Sequence, residues 1–275
     1  MNLSCDISCC LLELENEYRY DGWIPIKNYF PWTSMQASPV FETTKRSAFL
    51  DVYRGSAVLL MIIFHFCWDL LNFGFLEYSI YDPFWVYFRS LILTLFLTAI
   101  GWSAYIALGK SNNSSFWKRD IKLLISATAI SLATYLTIPN QWIYFGILHF
   151  IFIASLLIRP LAKWPIPSAL AGAVIILIYH STNWLHFPNA FSIITSYIAL
   201  PDKTLDIVFP FPWIGVVLIG PLLGYLNWQK CPTPNSLAIQ ILAFMGRHAL
   251  PIYLIHQLVL FPLVATFKMV LTLLS

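Results

Sequence analysis

Residues 51–69 read DVYRGSAVLLMIIFHFCWD, an apolar run of membrane-crossing length with Asp51, Arg54, His65 and Asp69 set into it. A helix turns about 100° per residue, so eleven residues make about three turns. Arg54 and His65 therefore share nearly the same face, roughly 16 Å apart along the axis. His65 and Asp69, four residues apart, lie one above the other, and Asp51 falls on the edge of the same stripe. Ionisable groups inside a bilayer are costly and by default face a bundle interior or a wet cavity. Four on one stripe mark a candidate site.

The rest of the chain extends this reading. Of 275 residues, 59% are hydrophobic and 11% charged, which places the chain with polytopic membrane proteins rather than soluble domains. Apolar runs predict an all-α transmembrane helix bundle of about seven spans, near 50–72, 84–108, 120–138, 141–158, 164–180, 210–228 and 249–272. Residues 236–246 and 190–200 form shorter apolar stretches with the character of interfacial or re-entrant helices. Residues 1–44 have no apolar run and no signal-peptide layout, and read as a disordered tail or an over-extended start, with Met35 an alternative beginning. The membrane domain is then 45–275.

Loop charge gives an expected orientation. Lys45 and Arg46, then Lys110, Lys118, Arg119 and Lys122, then Arg159 and Lys163, then Lys230 and Arg247 fall in alternate loops. Positive loops stay cytoplasmic, so the N-terminus is expected inside and the C-terminus outside. Lys268, near the C-terminus, dissents and is expected to snorkel to the interface. The net charge of +3 fits this topological use and gives no nucleic-acid footprint. The five cysteines match no zinc spacing and read as free thiols.

Several residue types carry chemistry. A histidine is the natural base near neutral pH, and a carboxylate one turn away orients it. The planar fork of arginine suits phosphate or carboxylate. His149, expected mid-span in YFGILHF, and His256, in GRHALPIYLIHQ, are lone histidines in apolar helices. Each is as easily a structural hydrogen bond as a ligand. The segment DIVFPFPWIGVVLIGPLLG (206–224) combines Asp206, three prolines and Trp213, and its prolines hold any helix off until Trp213. Arg247 reads either as a topology charge or as part of a phosphate site beside Arg54.

Taken together, RSAFLDVYRGSAVLLMIIFHFCWDL (46–70), FGILH (145–149), DIVFPFPWIGVVLIG (206–220) and GRHALPIYLIHQ (246–257) resemble the bacterial branch of the heparan-alpha-glucosaminide N-acetyltransferase catalytic-domain family. The first span also resembles the membrane acyltransferase-3 family, in which an arginine and a histidine with ten residues between them, the separation of Arg54 and His65, mark the active site. The resemblance implies transfer of an acetyl or similar group from cytoplasmic acetyl-CoA, or another acyl-CoA, to a hydroxyl or amine at the outer face. The acceptor it implies is a glycan or small molecule. It implies a multi-pass protein of the bacterial inner membrane, with no metal. It makes His65 the expected base or nucleophile, Asp69 its partner and Arg54 an acyl-CoA or oxyanion contact. Asp51, His149, Asp206, Trp213, Arg247 and His256 are secondary candidates. Unlike the lysosomal member, this chain has its histidine within the first helix rather than the following loop, so the acceptor identity is not carried over. Two other readings stay open from the residues alone. One is a transporter or flippase whose charged stripe lines a solute path. The other is a haem- or metal-binding redox protein using the histidines.

Overall fold

The computed structural model describes residues 46–109, 113–182 and 204–274. The tail expected over 1–44 and the apolar stretch at 190–200 lie outside them. The described residues form eight α-helices: α1 (Ala48–Asn72), α2 (Pro83–Leu108), α3 (Asn113–Thr137), α4 (Ile147–Leu161), α5 (Pro165–Ser181), α6 (Trp213–Tyr225), α7 (Leu237–Arg247) and α8 (Ala249–Leu274).

Local chemistry sets the ends. Ser47 caps α1, its hydroxyl accepting from the Leu50 amide at 3.2 Å. Pro83 and Pro165 open α2 and α5 at the first turn, where a missing N–H costs nothing. Helix α6 begins at Trp213 directly after the FPFP run, as the prolines require. Ser236 caps α7 through the Ile239 amide.

Fewer than seven helices of full span length form among the described residues. Four there are long and apolar enough to cross a membrane: Ala48–Asn72, Pro83–Leu108, Trp117–Thr137 and Ala249–Leu274. The expected fourth, fifth and sixth spans are helices of 15, 17 and 13 residues. At 1.5 Å per residue they reach only about 20–26 Å, short of a hydrocarbon core of about 30 Å. The fourth loses its first turns because residues 142–146 are not helical, with Phe145 bridged to Ile207. His149 thus sits in the first turn of α4, not mid-span. The apolar stretch at 236–246 is helical, as α7.

Small residues let the helices approach closely. A Cβ added to Gly55 in α1 would strike the Leu242 carbonyl in α7, and one on Gly246 would strike the Asp51 carbonyl. Gly101 in α2 meets Val217 and Gly220 in α6, and Gly172 in α5 meets Gly215 in α6. Membrane helices associate through such close backbone packing, because lipid gives no hydrophobic drive between them. One core unites Leu97, Phe150, Ala154, Ile158 and Val217 from α2, α4 and α6. Another gathers Val58, Met61 and Ile92 with Met245 and Ile252, joining α1 and α2 to α7 and α8.

Candidate functional site

Helix α8 starts part-way along the bundle and runs beside the second half of α1, with Phe261 against Phe73 and Phe267 near Phe75. This brings His256, early in α8, to His65, late in α1. The two rings meet edge to face with centroids 4.6 Å apart. His65 Nδ1 donates to the Met61 carbonyl at 2.9 Å, and His256 Nδ1 to the Tyr253 carbonyl at 2.6 Å. A carbonyl only accepts, so each Nδ1 carries the proton and each neutral ring keeps its lone pair on Nε2.

Asp69 is fully buried beside this pair. Its Oδ1 accepts from the Gln257 side-chain amide at 2.7 Å. Asp69 Oδ2, Gln257 Oε1 and His256 Nε2 are buried with no hydrogen-bond partner among the described residues. All three are acceptors, and leaving buried acceptors unpaired is costly. The site therefore calls for a ligand that brings donors.

The other candidates fall elsewhere. Asp51 and Arg54 lie at the far end of α1, about 21 Å and about 16 Å from His65 by helix rise. Asp51 is buried and takes the Arg46 guanidinium on both oxygens, at 2.6 and 3.1 Å. Arg54 stands 3.6 Å from Asp51 and donates to the Ser103 hydroxyl of α2. Arg247 ends α7 with an exposed side chain.

His149 and Asp206 meet near the start of α4. Asp206 Oδ2 accepts from the Ile147 amide at 2.8 Å, so it caps α4 from a distant loop. Burial pushes its carboxyl up, and the Ile147 amide pulls it back down. His149 Nδ1 accepts from the Gly146 amide at 3.3 Å, and its Nε2 is 3.2 Å from the Ser131 hydroxyl. These bonds occupy both ring nitrogens, the structural role the sequence allowed. Trp213 packs against the core of α2, α4 and α6. No three histidine, cysteine, aspartate or glutamate side chains among the described residues converge as a metal site.

Residues 46–258 match the family described as heparan-alpha-glucosaminide N-acetyltransferase, catalytic. The chain belongs to that family. No curated protein and no solved structure matches it. The match covers α1 through the first part of α8 and ends just past Gln257, so it takes in the whole histidine site. It places the chain in a family of membrane acetyltransferases.

Within this fold, two features escaped the sequence reading. Gln257 carries no charge and gave no signal, although it follows His256 directly. Asp120, read only as the start of the third span, is buried and paired with Arg159 across α3 and α4, with Ser155 at 3.4 Å. An aspartate inside a helix of span length was the available signal.

Proposed function

We propose that this chain transfers an acetyl or similar acyl group from an acyl-CoA to an amine or hydroxyl acceptor, with His65 as the base. One observation carries the reading: two buried, unpartnered acceptor oxygens, Asp69 Oδ2 and Gln257 Oε1, beside a histidine pair whose Nε2 lone pairs are both available. An acceptor amine or hydroxyl supplies the missing donors. Asp69 and Gln257 would hold it, and His65 Nε2 would take its proton as the nitrogen or oxygen attacks the acyl carbonyl. The C–S bond then breaks, and the thiolate leaves with the proton returned by the imidazolium. His256 sits where it can share that proton. Arg54, at the other end of α1, serves the donor.

Loop charge supports a cytoplasmic N-terminus and a cytoplasmic donor, with the acceptor at the outer side of a bacterial inner membrane. The same family resemblance favours a glycan acceptor.

The test uses the purified full chain in nanodiscs, with radiolabelled acetyl-CoA and a panel of amino sugars and polyols. Acetyl transfer is expected, with His65→Ala reduced by about 10²–10⁴-fold. Full activity in His65→Ala would sink the assignment. Label retained on His65 after a single turnover without acceptor would replace the base role by a covalent one.

A further inference from the structure

Helix α2 carries a charge that the histidine chemistry does not use. We infer that Arg89 binds an anionic group on the acceptor, so that the acceptor is an amine or hydroxyl compound bearing a carboxylate, sulfate or phosphate. This rests on the acyltransferase reading above and adds a charge requirement to it.

Arg89 stands inside an apolar helix of span length, where a charge is costly and by default faces the bundle interior or a wet cavity. Its direction follows from α2 itself. Phe84, Tyr87 and Leu91 are 66%, 74% and 48% exposed and mark the outward face of the helix. At about 100° per residue, Arg89 points about 140–160° away from all three. Trp85 and Leu93, one turn to either side, share its face within about 40°. Leu93 packs against the core that holds Ile147 and Val208, and Trp85 meets Phe64 with ring centroids 6.1 Å apart. Arg89 therefore faces inward, and yet it is exposed. An inward-facing, exposed arginine lines an open space between helices rather than reaching into lipid.

Register places that space beside the histidines. Tyr53 bonds Thr98 at 2.7 Å and Phe64 meets Phe88 at 6.0 Å, so α2 runs antiparallel to α1 and Arg89 lies near the depth of His65. On α8, Tyr253 packs against both the core that includes Leu93 and the core that includes Ile92. One turn on from Tyr253 is His256, and one turn back from Leu93 is Arg89, both toward the loop joining α1 to α2. The guanidinium thus opens onto the level at which His65 and His256 meet. Among the described residues it has no hydrogen bond and no ion pair. Burial pushes the Asp206 carboxyl up, and the Ile147 amide, His149 and Arg89 pull it back, so Arg89 is within electrostatic reach of Asp206 without pairing with it. Asp206 Oδ2 is given to the Ile147 amide instead. A forked guanidinium left open in this way matches an anionic group through two bonds at once, which a neutral acceptor cannot supply. A phospholipid headgroup carries the same chemistry, and the test separates the two sources.

The full chain in phosphatidylcholine nanodiscs is assayed with acetyl-CoA and three acceptors: glucosamine, glucosamine 6-phosphate and glucosamine 6-sulfate. Wild type is expected to favour the two anionic sugars about 10-fold or more in kcat/KM, mainly through KM. Arg89→Gln should erase that preference by raising KM for the anionic sugars, and Arg89→Lys should keep part of it. A wild type that acetylates all three sugars without preference overturns the inference and leaves the acyltransferase standing. So does an Arg89→Gln protein whose preference is intact, or one that loses kcat equally on all three. Nanodiscs containing phosphatidylglycerol supply the lipid arm. If that lipid changes wild-type turnover, and Arg89→Gln removes the lipid effect but not the sugar preference, Arg89 belongs to a headgroup and the inference falls. If Arg89→Gln does not fold, Arg89→Lys decides, and a preference equal to that of wild type refutes the role. A wild type that acetylates no amino sugar or polyol, charged or neutral, removes both readings.

Discussion

At the scale of single residues, the histidine site turns on one neutral amide. Gln257 gives its N–H to Asp69 Oδ1 and keeps Oε1 for whatever enters. Gln257→Leu would strip Asp69 of its protein donor and leave both carboxylate oxygens buried and unpaired. That costs about 1–3 kcal/mol or more for a charged group. The expected outcome is a lower unfolding temperature in detergent together with reduced acyl transfer. Gln257→Glu should be worse, because it sets a second carboxylate against the first. A Gln257→Leu protein with wild-type stability and turnover would show that Asp69 has another donor. His65, Asp69 and His256 were legible in the sequence because charge and imidazole inside apolar helices stand out against their cost. Gln257 was not, because an amide in such a helix is an ordinary packing residue until its partner is known. Asp206 drew notice as an acid beside the proline run, yet its part is a cap on α4, which depends on a contact 59 positions away in the chain.

At the scale of elements, the fold depends on where backbones touch. Gly246 lies against the Asp51 carbonyl and Gly55 against the Leu242 carbonyl, so α7 crosses α1 with no room for a side chain. This contact fixes where α8 begins, and hence whether His256 reaches His65. Gly246→Ala would push a methyl group into backbone, which cannot swing aside as a side chain can. The expected cost exceeds the roughly 1–3 kcal/mol of ordinary overpacking, read as aggregation in size-exclusion chromatography or a large fall in unfolding temperature. Gly74 is the contrast. Its φ is +73°, but a Cβ there meets nothing within 4 Å. Gly74→Ala should cost only about 1 kcal/mol of backbone strain and leave activity nearly intact. If the two variants behaved alike, close packing would not govern this crossing. Apolar runs revealed that these helices exist, and the prolines before Trp213 placed one boundary. Their lengths and pairings were hidden, because the bridge that shortens α4 joins Phe145 to Ile207, far apart in sequence.

At the scale of the whole molecule, the charged groups sort by end. Arg46, Asp51, Arg54, Asp120 and Arg159 gather where α1 and α3 start. His149 and Asp206 lie at the opposite end, and the histidine pair lies between, nearer the latter. A donor entering at the basic end and an acceptor entering at the other would meet near His65 only if the chain inserts with that basic end in the cytoplasm. Cysteine labelling tests this directly. The five native cysteines are first changed to serine. Single cysteines are then placed at Tyr81, exposed in the loop between α1 and α2, and at Lys163, exposed between α4 and α5. These loops lie at opposite ends of the bundle, because one helix end leads to each. In intact cells a membrane-impermeant maleimide should label Tyr81→Cys and spare Lys163→Cys until the membrane is opened. The reverse pattern would place the arginine cluster outside, where no cytoplasmic acyl-CoA could reach it, and would refute the proposed direction of transfer while leaving the geometry of the histidine site untouched.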